Sequence, residues 1–592
     1  MDDPRKQGPQ QGPIDWSEFI KQAQQSGAGA DFNKIKSRFS HLKKRTIIIA
    51  AVVLVLVLAL AYWWFHPAIN IQSIDLWGFL VVILALVTFV LFVFRQIYQT
   101  GMGKREKSPK KVKLFSGLMA IPIAIAVIGA VGWLASQSFF PGNAEKYSTV
   151  LVTEDADFAT DIPEVNYSEI PFIDKDSAIL LGNRTMGTMA DYVSQFEISD
   201  LYSQINYKGQ PVRVSPLNYA DFFKWWANKD GGIPAYVIVN MSTQDTEIVR
   251  LENPIRYSDS DPFFYNVDRH VQLSYPFYMF DEKSFEINDD GEPFWIYPVQ
   301  KRTIGLFGGT TIQRVVLCNA STGECQDFAI EDVPQWVDRA YPAELLIEQY
   351  NWSGALSGGW INSWLGQNGV KQTTPSTDGK SGFNYIAQDD DVWVYSGVTS
   401  ATADNSIIGC VMINQLTSES KFYSVAGATE ESAMRSAEGQ VQHLQYDATF
   451  PLLINVDGQP TYFMALKDAA GLVKMYAMVD IQRYQNVAVG DTLAATEKSY
   501  KQLLVSQGIN VGGSDASAHP SAGSTSGTIA SISPVVLDGN SHYYLILDGQ
   551  QAIFDCPVAS VVDVVRYKVG DVIVLNHGSS EGNVVLVDSI GE

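Results

Sequence analysis

Residues 317–324 read LCNASTGE, set between two short apolar runs. The same grammar stands at 238–245 (IVNMSTQD) and at 412–419 (MINQLTSE). Each copy is an apolar strand, an Asn, two residues, a Thr, one residue, an acid and a second strand. The recurring positions are Asn240, Thr243 and Asp245, then Asn319, Thr322 and Glu324, then Asn414, Thr417 and Glu419. Short Asn and Thr side chains hydrogen-bond the backbone of a tight turn, and Gly323 accepts positive φ without a steric cost. These stretches therefore predict β-hairpins with loops of about four to six residues. Residues 465–472 (ALKDAAGL) read as a fourth copy that keeps the strands but loses Asn and Thr. Unequal spacing of the copies argues for duplicated modules, not for a solenoid of fixed period.

Such a hairpin resembles the signature of PepSY-type domains, which are cystatin-like. The resemblance is carried best by residues 430–504, where a helix at 431–444 precedes strands at 449–456, 460–466 and 473–479 and a helix at 492–504. It implies a helix packed on a small antiparallel sheet, repeated in tandem outside a bacterial membrane, and protease regulation or cell-envelope binding. No functional residue transfers with it. The whole layout is also similar to multi-pass surface proteins of Gram-positive bacteria.

Working outward, the charge is uneven along the 592 residues. Residues 1–140 hold 16 Lys+Arg against 7 Asp+Glu, leaving 26 against 57 in the remainder of a chain with formal net charge −22. Asymmetry of this kind marks a membrane boundary or a polyelectrolyte-binding tail. Three uncharged runs, 46–65, 76–94 and 114–134, each approach the length that crosses about 30 Å of hydrocarbon. The expectation is a three-helix transmembrane anchor, multi-pass in the cell membrane. Thirteen basic residues flank the runs, from Lys34 to Arg45 and from Arg95 to Lys113, and the loop between the first two runs has none. Basic flanks favour the cytoplasmic side, so the N-terminus is expected inside and everything after Phe140 outside. Membrane lipids are the expected partners of the basic flanks.

The expected organisation is a cytoplasmic basic tail (1–45), largely disordered, the anchor (46–140), two pairs of extracytoplasmic α+β modules (141–345 and 346–508), a Gly/Ser linker (509–527) and a small barrel (528–592). The alternation of short apolar runs and polar turns after Pro141 supports α+β modules of helix on antiparallel sheet. Five short strands in the last 65 or so residues suggest a small β-barrel, OB-like. That barrel offers only Arg566 and Lys568 against several acids, so no nucleic acid is expected to bind it.

Chemistry is sparse. Seven scattered histidines, with no HExxH, no Cys/His metal spacing and no GxSxG, predict no catalytic residue, no metal and no cofactor. His270 is a candidate to orient a nucleophile, against a plain structural role. Residues 288–292 and 389–391 are acid-rich turns without the full spacing of a calcium loop. Cys318 and Cys325 flank one repeat turn and are expected to face each other, close enough for a disulfide. Cys410 and Cys556 read as small buried apolar residues. Trp352, Trp360 and Trp364 mark a segment suited to core packing or to a membrane surface. The sequons at Asn166, Asn183, Asn240, Asn319 and Asn351 matter only in a glycosylating source. The leading expectation is a non-enzymatic binding, scaffolding or regulatory protein of the cell envelope with a protein or cell-wall partner. The alternatives are an envelope hydrolase with a carboxylate site and a subunit of a membrane transport or envelope complex.

Overall fold

The computed structural model describes residues 44–592 apart from 101–108, 165–169, 376–381, 402–405, 510–522, 578–583 and the positions 190, 389, 508, 538–539, 551, 559–560 and 592. The expected tail, most of the linker, Asn166 and Asp389 lie outside the described residues.

The chain forms two compact units, 1–66 and 67–592. The first contributes the helix Lys44–Phe65. The second opens with the helices Ile74–Thr100 and Pro109–Ala135, which hold apolar stretches of 20 residues (Ile74–Val93) and 24 residues (Val112–Ala135). Both are long and apolar enough to cross a membrane, and none of the first stretch is buried. The expected three-helix anchor is overturned. Among the described residues only two helices qualify, and the apolar stretch described in the first is the shorter Val55–Phe65. Gly129 lets the two helices approach, since a Cβ there would sit 2.8 Å from the Trp77 ring.

The expected α+β modules are corrected too, because the remainder is built mainly from sheets packed on sheets. Four antiparallel meanders follow in chain order. The first blade is Ser203–Tyr207, Gln210–Tyr219, Ile233–Asn240 and Thr246–Ile255. The second is Ser284–Ile287, Pro293–Ile304, Gly308–Asn319 and Cys325–Ala329. The third is Asn384–Gln388, Asp391–Ser400, Gly409–Asn414 and Ser420–Tyr423, with Thr153–Ala156 added parallel at its outer edge. The fourth is Leu452–Val456, Gln459–Lys467, Val473–Asp480 and Val487–Gly490.

The reason lies in the strands. Gly409–Asn414 and Leu452–Val456 are buried at every position, so both faces of their sheets need cover. Successive side chains of one strand point to opposite faces. Trp295 and Tyr297 accordingly enter a core shared with the first blade, while Ile296 enters one shared with the third. Trp393 and Tyr395 pack with the fourth blade, Val394 with the second. Leu453 and Tyr462 face the third blade, and Leu452 and Phe463 join the core of the first. The helix Lys175–Gly187 closes the circle between the fourth and first blades. Its cap residue Asp174 pairs with Lys467, Ser177 Oγ donates to Gly471 O (3.2 Å) and Phe172 meets Tyr476 edge-on. Four sheets in a closed ring around an axis is the arrangement of a four-bladed propeller.

The ring holds the ends of the two long helices. Ser136 Oγ accepts the amide N–H groups of Leu306 (2.8 Å) and Phe307 (2.9 Å), and Ile69 N–H donates to Pro276 O (2.6 Å). At the C-terminus, Gly523–Leu537, Asn540–Leu547, Ile553–Pro557, Val584–Gly591 and Val572–His577 close into a barrel around Leu545, Phe554 and Leu575.

Candidate functional site

The repeat turns connect the third and fourth strands of the blades. Asn240 Oδ1 accepts the N–H groups of Ser242 and Thr243, Asn319 Oδ1 those of Ser321 and Thr322, and Asn414 Oδ1 those of Leu416 and Thr417. The hydroxyls of Thr243, Thr322 and Thr417 accept from Asp245, Glu324 and Glu419 N–H. In the fourth blade the equivalent turn starts at Asp480, whose Oδ1 accepts from Gln482 and Arg483 N–H. Residues 465–472 instead join its second and third strands around Asp468. These residues build the ring and do not converge on one another.

What the ring encloses is a cavity of about 310 Å³, lined from all four blades. The first blade gives Gln204 and Arg213, the approach to the second gives Glu282, the third gives Asn384 and Tyr385, and the fourth gives Leu452 and Phe463. Arg339 and Glu344, from the link between the second and third blades, complete the polar wall. The aromatic part of the wall includes Phe172, Phe383 and Phe450. Apolar walls with a few converging polar groups are the usual make-up of a small-molecule site.

Arg213 is buried, and its guanidinium makes only long bonds, to Ile173 O (3.4 Å) and Gln204 Oε1 (3.3 Å). Burial pushes its pKa down to about 10. Burial also opposes the charge on Arg339, but Tyr385, Glu286, Glu344 and Glu282 hold its pKa above the usual value. The Arg339 guanidinium lies 5.9 Å from the centre of the Tyr385 ring. Arg339 Nε, Gln204 Nε2 and Tyr202 Oη are buried without a hydrogen-bond partner, and all three residues line this cavity. Such orphaned donors are rare in folded proteins and call for a partner, whether water or a ligand. On the acidic side, Asp174 is neutralised by Lys467. Burial, then the neighbouring Glu344, pushes Glu282 toward its neutral form. With Asp174 paired to Lys467, the wall sets Lys175, Arg213 and Arg339 against Glu282 and Glu344. Neither arginine stands in a sequence motif, so nothing in the sequence singled them out.

Cys318 and Cys325 are register partners across their hairpin and are free thiols, while Cys410 and Cys556 are buried in other cores. His270, on the helix Val267–Ser274, reaches this pair. The aromatic segment divides. Tyr350 and Leu356 of the helix Ala343–Leu356 are buried, whereas Trp360, Ile361, Trp364 and Leu365 are exposed beside Phe139.

No family model and no curated protein matches this chain. Among solved structures, an apocarotenoid oxygenase of Synechocystis matches at 9% identity over 61% of this chain and 58% of its own, with a TM-score of 0.13. This chain therefore spans less than two thirds of that protein. A levansucrase of B. megaterium matches at 10% identity over 75% of this chain and 97% of its own, with a TM-score of 0.17.

Proposed function

We propose that this is a membrane-anchored, extracytoplasmic binding protein whose central cavity takes a small organic anion: a carboxylate carried on an apolar body. The observation that carries this reading is the pair Arg213 and Arg339 on the cavity wall, beside the buried and unmet Arg339 Nε and Gln204 Nε2. A planar guanidinium is suited to a carboxylate because its paired N–H groups match both oxygens. The aromatic wall would hold the apolar body.

The orientation rests on the same reading. The helix ends at Ile74 and Ala135 meet the ring, and the basic residues Arg95, Lys110 and Lys113 lie toward the opposite ends. Basic flanks stay inside, which leaves the ring outside, within reach of a protein or cell-wall partner. The exposed Trp360 and Trp364 beside Phe139 then lie at the level of the lipid head groups. In nanodiscs of brominated lipid, the wild-type chain is expected to lose more tryptophan fluorescence than Trp364→Phe. Equal quenching in the two proteins would remove this placement.

Thermal unfolding of the detergent-solubilised full chain, scanned against mono-, di- and tricarboxylates and inorganic phosphate, tests the cavity. One carboxylate class should raise Tm, and Arg213→Met and Arg339→Met should each weaken that response about 10–100-fold, the worth of a lost charged hydrogen bond. A response equally strong in both variants, or none to any anion, sinks the reading. A second reading, an envelope hydrolase, is favoured by Glu282 and Glu344 facing the same cavity. Turnover of a glycan or peptide that Glu282→Gln abolishes would select it.

A further inference from the structure

Away from the axis, His270, Cys318 and Cys325 offer one nitrogen and two sulfurs, all within 4.8 Å of one another. Cys318 is the last residue but one of the strand Gly308–Asn319 and Cys325 begins the strand Cys325–Ala329, so the turn between them fixes their register. Asn319 N–H donates to Glu324 O (2.9 Å), a hydrogen-bonded pair. The next pair outward, Cys318 with Cys325, is therefore of the non-hydrogen-bonded kind, where side chains stand closest. The imidazole comes from a different element, 53 residues from the turn, with Nε2 at 2.8 Å from Gly323 O. The Cys325 thiol lies 3.5 Å from that same carbonyl. A carbonyl can only accept, so both groups converge on it as donors.

The position of His270 is held from behind. The Tyr257 ring lies over it with centroids 4.3 Å apart, and Gly323 leaves room for that ring, since a Cβ there would meet Tyr257 at 2.2 Å. Cys318 is fully buried, while Cys325 and His270 are only partly so, which leaves one side of the triangle open to solvent.

We infer that His270, Cys318 and Cys325 bind a thiophilic d10 cation, Zn²⁺ or Cu⁺, as a two-thiolate, one-imidazole site with an exchangeable fourth position. Soft thiolates with one imidazole select these ions over Mg²⁺ or Ca²⁺. Tetrahedral ligation at about 2.3 Å to sulfur and 2.0–2.1 Å to nitrogen requires donor atoms roughly 3.5–4 Å apart, so the side chains need close by no more than about 1 Å. Binding releases the thiol protons to solvent and changes no oxidation state. The three donors come from three separate positions without CxxC or HxxxH spacing, which is why the sequence predicts no metal.

The test uses the full chain, purified with a thiol reductant and no chelator, and loaded with Zn²⁺, with Co²⁺ as a spectroscopic stand-in, or anaerobically with Cu⁺. About one ion per chain is expected, with thiolate-to-cobalt charge-transfer absorption in the near ultraviolet. Cys325→Ser and His270→Gln should each cut metal content to near zero or weaken affinity at least tenfold, and Cys410→Ser, in another core, should leave it intact. Retention of Zn²⁺ by both variants overturns the site, as does loss on Cys410→Ser alone. Recovery of the chain as a Cys318–Cys325 disulfide that takes no metal even after reduction overturns it as well. Circular dichroism of each variant separates loss of metal from loss of fold.

Discussion

Trp295→Ala is expected to lower the unfolding free energy by about 3–5 kcal/mol, the usual cost of truncating a buried tryptophan. The indole is 1% exposed, packs on Phe285 at 5.2 Å and donates its N–H to Tyr257 O at 2.8 Å. It lies in the core that the first and second blades share, so its loss opens a seam between them and strands a carbonyl. Chemical denaturation of the solubilised chain, with Trp360→Ala as an exposed comparison, measures the effect. A loss under about 1 kcal/mol would mean that the two blades do not depend on this contact.

Glu430→Ala is the second large effect. This carboxylate is 1% exposed at the start of the helix Glu430–Gln440, and it ties the fourth blade to the third. Oε1 accepts from Gly397 N–H (2.6 Å) and the Tyr395 hydroxyl (3.3 Å), and Oε2 from the Thr374 hydroxyl (2.9 Å). Alanine leaves the buried Gly397 N–H without its acceptor and takes a partner from the Tyr395 and Thr374 hydroxyls, at a cost of about 3 kcal/mol, whereas glutamine keeps an acceptor and should cost much less. The pH dependence has a fixed sign. Burial pushes the Glu430 pKa up, so its contribution is complete below the ordinary carboxylate range and declines as pH rises through the folded-state value. The stability gap between wild type and Glu430→Gln should therefore shrink from pH 5 to pH 8. A gap that widens over that interval would show that the carboxyl is charged in the fold.

The parts of this structure legible in the sequence are those made by neighbours in the chain. Asn240, Asn319 and Asn414 announce their turns because an Asx turn is complete within a few residues. Asp480 does the same work without the Asn-x-x-Thr spacing, so the sequence pattern points to 465–472 instead. The helices Ile74–Thr100 and Pro109–Ala135 follow from length and apolarity alone. The ring does not, because strands buried on both faces read the same whether helices or other sheets cover them. Arg213 and Arg339 are brought together across blades, and His270 joins the legible Cys318–Cys325 pair from a separate helix, so no local spacing encodes either meeting.

The contact that completes the circle has a kinetic consequence. Asp174 and Lys467 are 293 residues apart, so the fourth blade must exist before the helix Lys175–Gly187 gains its second partner. During synthesis the first three blades wait with an apolar edge uncovered while the remainder of the chain is made. Loop-closure entropy grows only slowly with length, so the delay bears on speed more than on final stability. Refolding of a chain weakened at this pair, by Lys467→Met, should accordingly stall at an open, aggregation-prone arc even where the finished protein is barely less stable.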